Sequence, residues 1–378
     1  MTARVLVLGA GFGGLEVAAR LSERFGTDIE VTLIDAAEHF VFGFAKLDVM
    51  FGKRTAASVS HPYRRIDKPG VRFVQTMIRS IDAAERRTVT DAGSFDADYL
   101  VIALGADLDP GATPGLVEDG HEYYTNAGAF AARDALAGFA GGRIVIGVTR
   151  ALFKCPPAPS ETALLTHEYL SARGLRAASE IALVMPMPAP VPPVPEASTA
   201  LLEAFAERDI AWHPKRSITA LDASAHEVVF ADGSTMPYDL FLGVPRHVVP
   251  AVVAESGLAP DGWVPVDPLT LQTGHPDVFA IGDVAQVGTP KAGAFAEGQA
   301  VVVAEAIAAR IQSRESSARY DGSGVCYVEF GGGRAGRVDV RFLAGGGASG
   351  SFVRATGALA DDKDDYRASR VRRWITDG

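Results

Sequence analysis

The chain has 378 residues, of which 48% are hydrophobic and 22% charged, and 36 basic against 46 acidic side chains leave a formal net charge of −10. That size and composition exclude a disordered chain and allow two domains with an appendage. The excess of acid speaks against a nucleic-acid protein, and two cysteines cannot form a disulfide scaffold. No apolar run reaches the roughly 18 residues of a membrane span. The start, MTARVLVLGAGFGG, reads as a strand entering a glycine turn and not as a signal peptide, so a cytoplasmic location is expected.

Residues 4–8 (RVLVL) predict a buried strand, and Gly9-Ala10-Gly11-Phe12-Gly13-Gly14 follows at once. A helical pattern from about Leu15 to Phe25 leads to a second strand, Ile29 to Ile34, which ends at Asp35. This is a βαβ unit with GxGxxG at Gly9, Gly11 and Gly14. Its acidic residue lies 21 positions after Gly14, where a ribose hydroxyl needs an acceptor. Glycines there permit a tight turn and let a pyrophosphate approach the helix N-terminus.

Short strands with turns follow from Val71 to Ala106. A second Rossmann-like unit opens with the strand Arg143 to Val148, the helix Glu161 to Ala172 and the strand Ile181 to Met185. Six prolines between Pro186 and Pro195 demand an extended loop. A helix from Ala197 to Arg208 precedes strands at Glu227 to Phe230 and Tyr238 to Val244, joined at Asp232-Gly233. The apolar run ending in Gly282-Asp283, a long helix from Phe295 to Gln312, a strand from Cys326 to Phe330 and a charged tail helix complete the chain. The fold class expected is α/β. A dinucleotide domain (1–110 and 248–314) holds a second Rossmann-like domain (111–247) inserted in it, and a small α+β segment (315–378) ends the chain.

TGHPDVFAIGDVA resembles the second FAD fingerprint of the two-dinucleotide-binding-domain flavoproteins, in which the Asp carboxylate meets the ribitol. The element Ala103-Leu104-Gly105 resembles the one that closes their FAD half. The resemblance implies FAD, held by Gly9, Gly11, Phe12, Gly13, Gly14, Asp35, Ala103, Gly105, Gly282, Asp283 and Lys291. The second unit lacks a matching fingerprint. After its first strand the chain reads Ile146-Gly147-Val-Thr-Arg-Ala-Leu-Phe-Lys-Cys155, and Leu183-Val-Met-Pro186 stands where a ribose-binding acid would be. Side chains then fill the pyrophosphate position, and a donor other than NAD(P)H is expected.

Cys155 stands in that loop. A helix start expected at Ser160, together with Lys154, would favour its thiolate. Cys326 is far away in sequence. KCPPAPSE, PKAGAFAE from Pro290 to Glu297, CYVEFGGGRAG and the tail Arg370-Val-Arg-Arg-Trp374 together resemble the sulfide:quinone oxidoreductase and flavocytochrome c sulfide dehydrogenase family. The resemblance implies that Cys155 and Cys326 form a bridge beside the flavin which sulfide attacks, with electrons passing to a quinone. It also implies that Lys291 stabilises the reduced ring. Glu161 reads equally as a proton carrier beside the flavin or as a first-turn acid favoured by the helix dipole.

Three departures qualify the match. His121 to Gly147 lacks the third cysteine many relatives carry. Phe40 to Gly52 has none either, so FAD is expected to be non-covalent. The chain stops soon after Trp374, where membrane-bound members continue into amphipathic helices. Tyr366, Val371, Trp374 and Ile375 among tail arginines offer a peripheral membrane contact, against which the favoured reading packs the helix on its own domain. No histidine pair has metal-ligand spacing. The rival functions are a type II NADH:quinone oxidoreductase-like enzyme and a non-enzymatic FAD-bound redox sensor.

Overall fold

The computed structural model describes residues 2–343 and 345–375. Two five-stranded parallel sheets dominate it. The first runs in the order Val278–Ala280, Tyr99–Ile102, Ala3–Leu8, Ile29–Asp35, Val71–Gln75. The second runs Gly120–Glu122, Leu240–Val244, Gly142–Val148, Ser179–Val184, Ile210–His213. Their central strands are almost uninterrupted apolar runs because helices or meanders cover both faces of a parallel sheet; Val5 to Leu8 and Ile144 to Ile146 are all buried. A three-stranded antiparallel meander accompanies each sheet, at 78–96 and at 218–237. The Asp232-Gly233 turn joins Glu227–Phe230 to a short strand, Thr235–Pro237, and not to the expected Tyr238 to Val244, whose residues Leu240–Val244 belong to the second parallel sheet.

The helix Phe12–Phe25 starts three residues earlier than the apolar pattern predicts, because the glycine turn itself forms its first turn. Gly9 has φ of +99°, and a Cβ there would lie 2.4 Å from the Ala103 carbonyl oxygen. Only glycine lets the turn pass between the two strand ends. The helix Asn126–Gly138, capped by the Thr125 side chain, went unread in the sequence.

The strands Ser323–Gly331, Arg334–Phe342 and Ala348–Thr356 form an antiparallel sheet that lies against the helix Ala158–Ala172, and the tail helix Gly357–Trp374 closes over it. This helix packs on its own body. Val371, Trp374 and Ile375 are buried with the core of the first sheet, so the residues expected to offer a bilayer contact face inward. Of the tail arginines, Arg367 pairs with the acidic stretch, at 3.5 Å from Asp364; Arg370 meets Glu297, and Arg373 meets Glu16 and Glu23. Among the described residues no helix is long and apolar enough to cross a membrane. The proline-rich segment is not extended as expected: it bends repeatedly and closes a turn in which the Val194 N–H donates to the Val191 carbonyl at 3.0 Å, Pro195 opens the helix Pro195–Glu207, and Val194 is buried against the second core.

Candidate active site

A cavity of about 530 Å³ runs from the glycine turn to the two cysteines. Gly11, Phe12, Gly13, Asp35, Ala103, Gly105, Gly282 and Asp283 line one end, and Cys155, Glu161 and Cys326 line the other. Gly9 and Gly14 lie behind the lining and shape the turn. Asp35 at its strand end accepts from the Ala10 and Ala37 N–H groups at 2.7 and 2.8 Å, which fixes the turn and holds the carboxylate at the cavity. A Cβ on Gly11 would meet nothing within 4 Å, so open space lies in front of the helix start, as a pyrophosphate requires. Phe12, Phe40, Phe42 and Phe44 form an aromatic wall. These features suit an elongated, part-aromatic dinucleotide such as FAD.

Lys291, expected beside the reduced ring, lies next to the lining residue Asp283. It is buried behind the lining, its ammonium donating to the Asp283 carbonyl and lying 3.4 Å from the Trp263 ring centroid. Burial lowers its pKa to about 8. Its own carbonyl accepts the Cys155 N–H at 2.8 Å, so Lys291 anchors the cysteine loop.

Cys155 and Cys326 line the same cavity as free thiols. The helix after Cys155 begins at Ala158 with Pro157 at its cap, and Ser160 is inside it, so the serine cap expected there is absent. The thiolate expectation also fails. Burial drives the Cys155 thiol well above its ordinary range, with Glu161 and Cys326 adding to the rise; burial and Glu161 push Cys326 up to about 12. Lys363 and Lys46 oppose the rise at Cys155. Lys154 instead donates to the Ala106 carbonyl at 3.2 Å.

Glu161 stands in the first turn of its helix and also lines the cavity, 1% exposed. Burial raises its pKa to about 7 against the pull of Lys363, and the Glu329 N–H donates to it at 3.0 Å. A carboxyl that titrates near neutrality beside two thiols is fit for proton transfer.

The chain matches the family model of the pyridine nucleotide-disulphide oxidoreductases over residues 3–308. It belongs to that family. FAD is its cofactor, and it is a flavin-dependent oxidoreductase. It is 28% identical over 338 residues to the mitochondrial sulfide:quinone oxidoreductase of Mus musculus, covering 85% of this chain and 74% of the relative. The sulfide:quinone oxidoreductase of Aquifex aeolicus has a similar fold, with a TM-score of 0.86 at 23% identity over 99% of this chain and 92% of that one. The resemblance carried by the cysteine motifs therefore stands. Similarity to the type II NADH:quinone oxidoreductase of Staphylococcus saprophyticus, at 34% identity, spans only 104 residues, 27% of this chain and 26% of the relative.

Several cavity residues were not singled out in the sequence. Lys46 donates to the Tyr124 carbonyl at 2.6 Å, and burial lowers its pKa to about 8. Tyr123 and Tyr124 line the wall near Cys155 with buried hydroxyls. Lys363 reaches Glu161 from the tail helix. None of these carries a local motif, and only the fold brings them close to Cys155.

Proposed function

We propose that this flavoprotein oxidises sulfide through Cys155 and Cys326 and delivers the electron pair to a quinone. The observation that carries the reading is the convergence of both thiols and a buried carboxyl on one wall of the FAD cavity. FAD, when bound, supplies the two-electron acceptor between donor and quinone.

In the oxidised form, HS⁻ attacks a Cys155–Cys326 disulfide. The S–S bond between the cysteines breaks, a persulfide S–S bond forms on one of them, and the other leaves as thiolate. The sulfide sulfur gives up two electrons overall. Glu161 accepts the persulfide proton, and Lys46 with Lys363 offsets the negative charge that develops beside Cys155. A second, open groove of about 760 Å³ shares Ala294, Val325 and Tyr366 with the cavity, which gives a quinone its own approach.

Anaerobic titration of the yellow protein with sulfide tests this. Sulfide should bleach the flavin in the wild type, and Cys155→Ser or Cys326→Ser should abolish bleaching while FAD stays bound. Unimpaired bleaching in Cys155→Ser would sink the mechanism.

A further inference from the structure

Glu161 is the inner end of a row of charged side chains that leads out of the cavity. Lys363 Nζ lies 3.8 Å from Glu161 Oε1 and 2.6 Å from Glu329 Oε1. Lys53 Nζ lies 3.1 Å from Glu329 Oε2 and 3.7 Å from Glu168. Side-chain exposure climbs along the row, from 1% at Glu161 and 6% at Lys363 to 18% at Glu329 and 35% at Lys53. The members come from separate elements: the helix Ala158–Ala172, the tail helix, the strand Ser323–Gly331 and the turn after the helix Ala45–Met50.

Stability does not account for this arrangement. Apolar side chains of similar volume usually hold a buried contact as well as an ion pair, because desolvation offsets the Coulomb gain. Lys363 is 4% exposed within the acidic run Asp361 to Asp365, and its ammonium lies 4.4 Å from the Phe44 ring centroid. It is aimed inward at two carboxylates when the same helix offers exposed ones.

We propose that Glu161, Lys363 and Glu329 form a proton path from the cavity to the solvent at Lys53, with Lys363 as the positioning residue that keeps Glu161 able to exchange its proton. The proposal rests on the sulfide reading for its source of protons. The persulfide S–H bond breaks as the Glu161 O–H bond forms. Lys363 stays an ammonium between the two carboxylates and holds the water that carries the Glu161 proton to Glu329, and Glu329 releases it to water beside Lys53. No group in the path is oxidised or reduced. The path closes when that water fills the 3.8 Å gap.

The groups facing Glu161 fix the sign of the expected changes. Lys363 of the tail helix lowers its pKa; Glu329 of the strand and Asp48 of the helix Ala45–Met50 raise it. Cys155 and Cys326 also face it, and each thiol is raised by Glu161 in return.

The test is the pH dependence of flavin bleaching by sulfide in the holoenzyme. Lys363→Met should move the Glu161 limb to higher pH by about one unit or more, and Glu329→Gln should move it to lower pH. In Lys363→Ala, turnover should fall at least about tenfold, and added methylammonium should restore it several-fold. A limb unmoved in both variants, or a loss that methylammonium does not repair, would overturn the path. Should the Lys363 variants fail to fold, Glu329→Gln and Lys53→Met carry the test at part-exposed positions, where Lys53→Met should slow turnover and leave FAD content unchanged. Infrared titration of the Glu161 carboxyl band, assigned by its loss in Glu161→Gln, reads the same coupling with no sulfur donor. A band that responds to Glu329→Gln while sulfide leaves the flavin yellow upholds the path and rejects the donor. A band that does not respond rejects the path whatever the donor.

Discussion

Cys155 has φ of +53°, a left-handed conformation that costs a residue with a Cβ about 1–2 kcal/mol. The tie of its N–H to the Lys291 carbonyl holds it there, against the extended backbone that the following Pro156 favours. The sequence shows the proline but not the tie, and it cannot show burial. That is why a helix start and a lysine suggest a thiolate while the folded environment favours the thiol. His247 shows the same limit. Unassigned in the sequence, it is buried edge-on to Tyr124, its Nδ1–H donating to the Pro245 carbonyl at 3.0 Å, and burial lowers its pKa to about 4. The unfolded chain therefore binds more protons between pH 6.5 and 4, so stability is complete above 6.5 and falls as the pH drops through that window. The loss approaches about 3 kcal/mol by pH 4. Denaturation of wild type and His247→Gln at pH 7 and pH 4.5 should show a smaller acid loss in the variant. Equal losses would mean that His247 stays solvated.

The tail helix was legible as a helix packed on its own domain, but which of its faces turns inward was not. Its inward face is Lys363, Tyr366, Arg370 and Trp374, at spacings of three, four and four, so the usual apolar stripe is written in long amphipathic side chains. Sequence periodicity cannot separate such a face from a solvated one. What pins the end is Glu16, 1% exposed, which accepts from Trp374 Nε1 at 2.6 Å, Arg373 at 3.0 Å and Arg20 at 2.7 Å. Trp374 also meets Phe12, Phe40 and Phe42 of the flavin cavity wall. Trp374→Ala removes a buried ring and leaves Glu16 short of a donor, a loss of about 3–5 kcal/mol. Chemical denaturation of the holoenzyme measures it, with faster proteolysis at the tail as the companion sign. A loss under about 1 kcal/mol would show that the helix is held from elsewhere.

For the whole molecule, the central strands of the two parallel sheets and the glycine turn were readable because apolar strand runs and glycine spacing are local signals, whereas the edge strands Gly120–Glu122 and Ile210–His213 were too short to show. The joint between the two halves was not readable either, since it depends on contacts between residues far apart in sequence. At that joint the second Rossmann unit departs from its type. Where a phosphate-binding turn would follow the strand Gly142–Val148, Leu152 and Cys155 both adopt left-handed φ without glycine, and the loop is bonded to Lys291 of the first unit. Gly147, the one glycine there, serves packing: a Cβ would lie 2.4 Å from the Phe241 ring. The segment after this strand delivers Cys155 to the cavity, and we expect that one loop does not serve both a nicotinamide dinucleotide and the cysteine. NADH at millimolar concentration should therefore bleach the flavin at least about a thousandfold more slowly than sulfide, since misplacing a hydride donor forfeits the effective molarity of a bound one. Anaerobic stopped-flow absorbance with each donor decides it. Bleaching by NADH at the rate of sulfide would mean that a nucleotide reaches the flavin by another route, and the short likeness to the type II NADH:quinone oxidoreductases would then outweigh the cysteine loop.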